Sequence, residues 1–395
     1  MLLIHGTIYP ASREKIEDGY ILIQDGKIAD VGHFSECRYS GIETIDMCKR
    51  AIYPGFIDAH SHIGMWEDSL DFEGDDGNED TEPIMPQLYA LDAVNPYERS
   101  FSEALAAGIT TVATGPGSAN PIGGRWIAIK TSGNRIDDML VTGELGVKFA
   151  LGENPKQCYH EKGQTPVTRM GIAALIREQL EKTRRYAEQL LAAEQEEDRP
   201  EYDAKCEALL PLVSGKEKAF FHCHRRDDIF TAIRIAKEFS LNAILVHATE
   251  GHLIAPILKA EGYPIIVGPI ICDRSKPELH GHELYNAAVL CEQKIPIAIC
   301  TDHPVIPTQY LPLSCGLAIR AGLSREEALL AITLNAAKIL GIDNRVGSIE
   351  KGKDADLVVF QKQDDIFSVY SQPVQVMING EFVWEKGRRS ERSFG

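Results

Sequence analysis

The middle of this chain is a run of short β-branched segments alternating with amphipathic helices, and that repetition restricts the fold more than any other feature. Apolar strands are read at Tyr53 to Asp58, Ile109 to Ala113, Ile127 to Lys130, Leu145 to Leu151, Ala219 to His222, Ala243 to His247, Pro264 to Val267 and Ile297 to Thr301. Between several of them lie helical patterns, such as Asp228 to Phe239 with Ile229, Ala232, Ile233 and Ala236 on one face, and His252 to Glu261. A strand, helix, strand succession points to an α/β fold with a parallel sheet covered by helices. Eight such strands in roughly 250 residues suit a (β/α)8 TIM-type barrel. A doubly wound sheet is the competing arrangement, but no Gly-x-Gly-x-x-Gly follows an early strand.

Both chain ends are rich in strands instead. Tyr20 to Ile23 leads through Asp25-Gly26 to Ile28, and Val374 to Ile378 leads through Asn379-Gly380 to Phe382-Val383-Trp384. Each dipeptide between alternating runs is a hairpin signal. Neither end is large enough to bury a core alone, so the two are expected to form one small β-sandwich into which the barrel is inserted. The divisions read are 1–52 for the first half of the sandwich, 53–345 for the barrel and 346–395 for the second half. Two stretches depart from the pattern: an acidic, irregular loop from Met65 to Pro96, where substrate contacts are expected, and a helical excursion from Ile172 to Leu212 broken near Pro200.

The formal net charge of −17 opposes attraction to phosphate backbones and anionic lipid, which excludes nucleic acid as an expected partner. Nine cysteines without a C-x-x-C pair read as reduced thiols of a cytoplasmic protein. No apolar run approaches the length of a membrane span, and the first residues lack a basic segment, so neither a membrane nor secretion is expected. A small-molecule substrate is the expected partner, and the composition is compatible with a homo-oligomer.

Chemistry is concentrated at four strand ends. In Ile57-Asp58-Ala59-His60-Ser61-His62 the period of two sends both imidazoles to one face. Phe220-Phe221-His222-Cys223-His224, Ala243 to His247, and Ile297 to Thr301 followed by Asp302 and His303 repeat the theme. A single histidine after an apolar run is ordinarily a satisfied structural residue. Imidazoles and a carboxylate at four successive strand ends instead converge on the mouth of a barrel, where they suit a divalent metal.

These segments, with Pro54-Gly55-Phe56-Ile57-Asp58-Ala59-His60-Ser61-His62 and the closing Gly347 to Val358, resemble the amidohydrolase superfamily over nearly the whole chain. Pro116 to Gly124 and Ala150 to Lys156 are similar to its imidazolonepropionase-related branch. The resemblance implies one or two divalent ions, with zinc the expected metal. It places His60 and His62 on one metal, His222 and His247 on the second or shared position, and Asp302 both on the metal and beside the attacking water as base and then acid. His222 is preferred over His224, which shares its face and is read as a substrate contact or as the ligand in its place.

A two-metal site also needs a bridging anion. Lys148, carboxylated by carbon dioxide, is one candidate and Glu153 the other, with Lys148 preferred. Arg225 and His303 are read as substrate-binding, His280 and His282 as substrate contacts or surface residues, and Gly115 to Ser118 as a substrate-shaping turn. The expected function is hydrolysis of a C–N bond in an amide or cyclic amide. The alternatives are a single-metal deaminase of a ring amidine and a non-catalytic binding protein on the same barrel.

Overall fold

The computed structural model describes residues 1–68 and 70–387. Ser69 of the acidic loop and 388–395 of the C-terminal segment lie outside the described residues. Strands β1 (Leu2–Ile8), β2 (Ile16–Gln24), β3 (Lys27–His33), β4 (Thr44–Asp46) and β5 (Ala51–Pro54) come first. The barrel follows as β6 (Phe56–Ser61), β7 (Ile109–Thr114), β8 (Ile122–Lys130), β9 (Leu140–Ala150), β10 (Lys218–Cys223), β11 (Ala243–His247), β12 (Ile265–Val267) and β13 (Ile297–Ile299). Strands β14 (Leu357–Phe360), β15 (Gln375–Ile378) and β16 (Glu381–Glu385) close the chain.

The terminal strands form one sheet in the order β16-β15-β14-β5-β1-β2-β3, with β4 beside β1. The two ends meet at β5, which runs parallel to β1 and antiparallel to β14. Asp25 and Gly26 turn β2 into β3 with φ of 50° and 74°, and Asn379 and Gly380 turn β15 into β16 with φ of 49° and 80°. Two successive left-handed residues give the turn whose twist matches the strands. The hairpin tips are tied together, since Ala355 N donates to the Gly26 carbonyl at 2.9 Å and Gly380 N to the Ala355 carbonyl at 3.0 Å. Ile21 and Ile23 from one end and Leu357, Val359 and Met377 from the other share one core. Each such side chain contributes about 1.5–3 kcal/mol by leaving water.

The eight expected barrel strands are present in sequential order from β6 to β13. One of them departs from the expected parallel pattern: β8 runs antiparallel to both β7 and β9. The reason is loop length. Residues 115–121 and 131–139 are too short for a crossover connection, which needs a dozen or more residues, so the chain doubles back twice. At the seam, Asp302 N donates to the His60 carbonyl at 3.0 Å and His62 N donates to the His303 carbonyl at 2.8 Å, joining the end of β6 to the segment after β13.

The helical excursion is two helices, Arg169–Ala192 and Ala204–Val213, with Pro200 between them. Thr168 caps the first by accepting from Gly171 N and Asp203 caps the second by accepting from Cys206 N. At the barrel floor the reversed β8 delivers Lys130 to the closing segment, where Nζ pairs with Asp354 at 3.1 Å and with Asp356. Lys27 and Arg345 also reach Asp354, at 2.9 and 2.8 Å. Among the described residues no helix is long and apolar enough to cross a membrane.

Candidate metal centre

The period of β6 turns His60 and His62 inward, and the seam sets Asp302 beside them. Asp302 Oδ1 lies 3.5 Å from His60 Nε2 and 3.3 Å from His62 Nε2. His62 Nδ1 donates to the Gly115 carbonyl at 2.6 Å, which leaves its Nε2 lone pair directed at the site. The second group is His222, His224 and His247, whose ligand atoms lie within 4.8 Å of one another. His247 Nδ1 donates to the Gly268 carbonyl at 2.7 Å, while its Nε2 is buried with no hydrogen-bond partner among the described residues. His224 Nδ1 sits 2.7 Å from Thr249 Oγ1.

Lys148 of β9 stands at the base of these groups. Its Nζ is 3.2 Å from His60 Nε2 and 5.0 Å from the centre of the Trp126 ring, which also stacks on His60 at 4.1 Å. The rings of His60 and His247 are 5.3 Å apart, so both groups open onto one space. His247 and Asp302 hold positive φ values of 71° and 57°, a conformation that costs non-glycine residues about 1–3 kcal/mol and persists where surrounding structure imposes it.

Burial governs the protonation states. It lowers the pKa of all five imidazoles, favouring the neutral form that carries a ligand lone pair. Burial also pushes the Lys148 ammonium down to about 8. For Asp302 burial acts upward, but His247, His62 and Lys148 around it outweigh that and hold the carboxyl well below its ordinary range. Behind the site Asp58 accepts from the Thr301 hydroxyl and main chain, and burial pushes it up to about 7.

The site lies in a cavity of about 930 Å³ whose walls include His62, His222, His224 and Asp302. The acidic loop supplies Trp66 and Asn78 to this wall, with Trp66 edge-on to His62 at 4.9 Å. Gly117 of the turn after β7 permits that approach, because a Cβ there would lie 2.8 Å from the Trp66 ring and 2.7 Å from Asn78 Oδ1.

Of the residues read from the sequence, His60, His62, Lys148, His222, His224, His247 and Asp302 come together. Arg225 does not: its guanidinium pairs with Asp227 at 2.9 Å on the exterior, in a separate hollow with exposed His280. His303 is also absent from the cavity wall, with Nδ1 accepting from Thr308 N and Nε2 facing Glu98 at 3.5 Å. Glu153 stands away from Lys148, its carboxylate accepting from Glu278 N at 3.0 Å, and His282 is buried elsewhere. The sequence reading missed Glu278, Trp66 and Trp126. Trp126 carried a signal, the strand alternation of β8, whereas Glu278 carried none.

The donor set fits a metal. Ligand atoms around a tetrahedral zinc, with bonds of about 2.1 Å, sit about 3.4 Å apart, and the spacings of Asp302 to His60 and His62 match that separation. The unpartnered Nε2 of His247 is likewise accounted for by a cation. Barrel and donor groups together define a barrel protein with a candidate metal centre at its mouth.

Comparison with known proteins agrees. The Amidohydrolase family model matches residues 222–383. The crystal structure of an amidohydrolase from Thermotoga maritima MSB8 is 39% identical, covers 98% of this chain and 100% of that one, and superposes with a TM-score of 0.93. The chain is also similar to amidohydrolase tasK of Hapsidospora irregularis, 28% identical over 92% of this chain, of which it spans 39% of the length. An imidazolonepropionase of Geobacillus sp. (strain WCH70) is 25% identical over 94% of this chain and 92% of its own. The chain belongs to the amidohydrolase family.

Proposed function

We propose that this protein is a metal-dependent hydrolase that opens a C–N bond, other than an ordinary peptide bond, in an amide or cyclic amide. The observation that carries this is the pair of donor groups, His60/His62/Asp302 and His222/His224/His247, gathered around Lys148, with His62, Asp302, His222 and His224 at the wall of one cavity. His60, His62 and Asp302 would hold one cation, and the group of His222, His224 and His247 the second, with zinc the metal their nitrogen and oxygen donors suit. Lys148 is the residue that would supply an anion to both groups if its amine reacted with carbon dioxide to give a carbamate. The bound cations would supply a water of lowered pKa and polarisation of the scissile carbonyl.

The chain's own residues do the rest. Asp302 accepts the proton of the attacking water at Oδ1 or Oδ2 and passes it to the leaving nitrogen, so that an amine departs rather than an amide anion. His224 lines the opposite wall beside His222, and Trp66 and Leu279 offer flat and apolar surface to the body of the substrate. The names of the imidazolonepropionase relatives denote an imidazolone, a cyclic amide, which supports the ring-opening reading.

The test combines metal analysis with variants of the full chain. His60→Ala and His247→Ala should each lose metal, whereas Asp302→Asn should lower turnover by about 10²–10⁴-fold while losing less metal than either. Chelator-free protein with no bound metal and no uptake of zinc would sink the proposal. One ion per chain would redirect it to the single-metal deamination of a ring amidine.

A further inference from the structure

Glu278, in the loop after β12, is 1% exposed and is held from two directions. Glu153 N donates to its Oε2 and Glu278 N donates to Glu153 Oε2, both at 3.0 Å. Gly152 makes room for it, since at its φ of +90° a Cβ would lie 3.0 Å from Glu278 Oε2 and 2.9 Å from Asp228 Oδ2. Asp228 has its counter-charge in Arg169 at 2.9 Å. Among the described residues no lysine or arginine forms an ion pair with Glu278, and its Oε1 is buried without a hydrogen-bond partner. That oxygen faces His224 Nε2 at 3.7 Å and His222 Nε2 at 3.9 Å. Both distances exceed a hydrogen bond, yet they approach the spacing of about 3.4 Å between donors that share a cation with bonds of about 2.1 Å. A rigid buried carboxylate oxygen aimed at two imidazole nitrogens is stable when a cation sits among the three.

We propose that Glu278 is a metal ligand, joining His222 and His224 around the second cation. This rests on the two-cation reading above. It gives each side of the site one protein carboxylate, Asp302 on one and Glu278 on the other.

The test strips the full chain with chelator and titrates zinc back against a competing chromophoric chelator. The wild type should take up two equivalents. Glu278→Gln keeps a carbonyl for Glu153 N, so the stripped variant should melt with the stripped wild type, while its second equivalent binds at least tenfold more weakly. Unchanged affinity for the second equivalent overturns the inference, and a lower melting temperature with unchanged affinity reduces Glu278 to a structural tie. Should Glu278→Gln fail to fold, Glu278→Asp retracts the charge by one methylene and must weaken the same equivalent; two unaltered equivalents overturn the inference there too. A wild type that takes up two while Glu278→Gln takes up two equally tightly leaves the hydrolase reading standing and removes this one. A wild type that takes up one or none removes both the second cation and this inference.

Discussion

Lys130 and Lys148 occupy neighbouring strands, are 2% and 0% exposed, and live in opposite surroundings. Lys130 ends the reversed β8 at the barrel floor, between Asp354 and Asp356, in a cluster that Lys27 and Arg345 extend. Lys148 nears the end of β9 at the mouth, against an imidazole and an indole, and makes no ion pair among the described residues. Buried charge is tolerated when it is paired and hydrogen-bonded, and the floor satisfies that condition internally. The mouth does not: among the described residues His247 Nε2, Glu278 Oε1 and His60 Nδ1 have no hydrogen-bond partners. The floor cluster holds the fold together, whereas the unpartnered atoms at the mouth are ones that a bound cation would satisfy.

The harshest way to break this comparison is to remove half of the floor. We propose that the chain divides into 1–52, 53–345 and 346–395, with the last segment needed by both others. Deleting residues 346–395 takes away Asp354 and Asp356, leaves Lys130 buried and unpaired, and uncovers Ile21 and Ile23. The expected outcome is aggregation, even though every proposed metal ligand remains. Light scattering and a thermal melt check it, and a soluble, monodisperse product as heat-resistant as the full chain would show that the ends fold independently.

A point change asks the same question more finely. Lys130→Met should destabilise the protein by about 3–5 kcal/mol, because buried Asp356 loses its counter-charge while Asp354 keeps only Lys27 and Arg345. Lys148→Met in the metal-stripped protein should stay within about 1 kcal/mol of the parent or gain stability, since it replaces a desolvated amine with an apolar chain of similar length. Denaturant titrations of the two variants measure the difference directly. Equal losses would mean that the mouth is as internally satisfied as the floor.

How much of this was legible in the sequence follows the same division. Period-two alternation fixes the faces of His60 and His62, and short apolar runs mark all eight barrel strands, because both signals are local. The hairpins at Asp25-Gly26 and Asn379-Gly380 were readable for the same reason: their backbone requires those residue types. The direction of β8 was not read, since an alternating strand looks the same from either end. Only the shortness of 115–121 and 131–139 carried that information. Glu278 was invisible because its burial depends on Glu153, 125 residues away in the chain, and a loop after Pro277 has no periodicity to interpret. Arg225 misled in the opposite way, as a charged residue next to a site histidine whose side chain turns outward to Asp227.

That outward turn gives the smallest expected effect and the cleanest control. Arg225 and Asp227 form an exposed pair in a hollow separate from the cavity, and such pairs contribute about 0.2–1 kcal/mol at most. Arg225→Ala should therefore leave zinc uptake unchanged, shift stability by less than about 1 kcal/mol, and alter KM by less than about twofold on a substrate once one is found. The sharper comparison is with His224, one residue earlier, whose ring lines the cavity and faces Glu278. If Arg225→Ala raised KM tenfold while His224→Asn did nothing, the substrate would be reading the exterior of the barrel rim, and the division between a satisfied exterior and an expectant mouth would have to be moved outward by one residue.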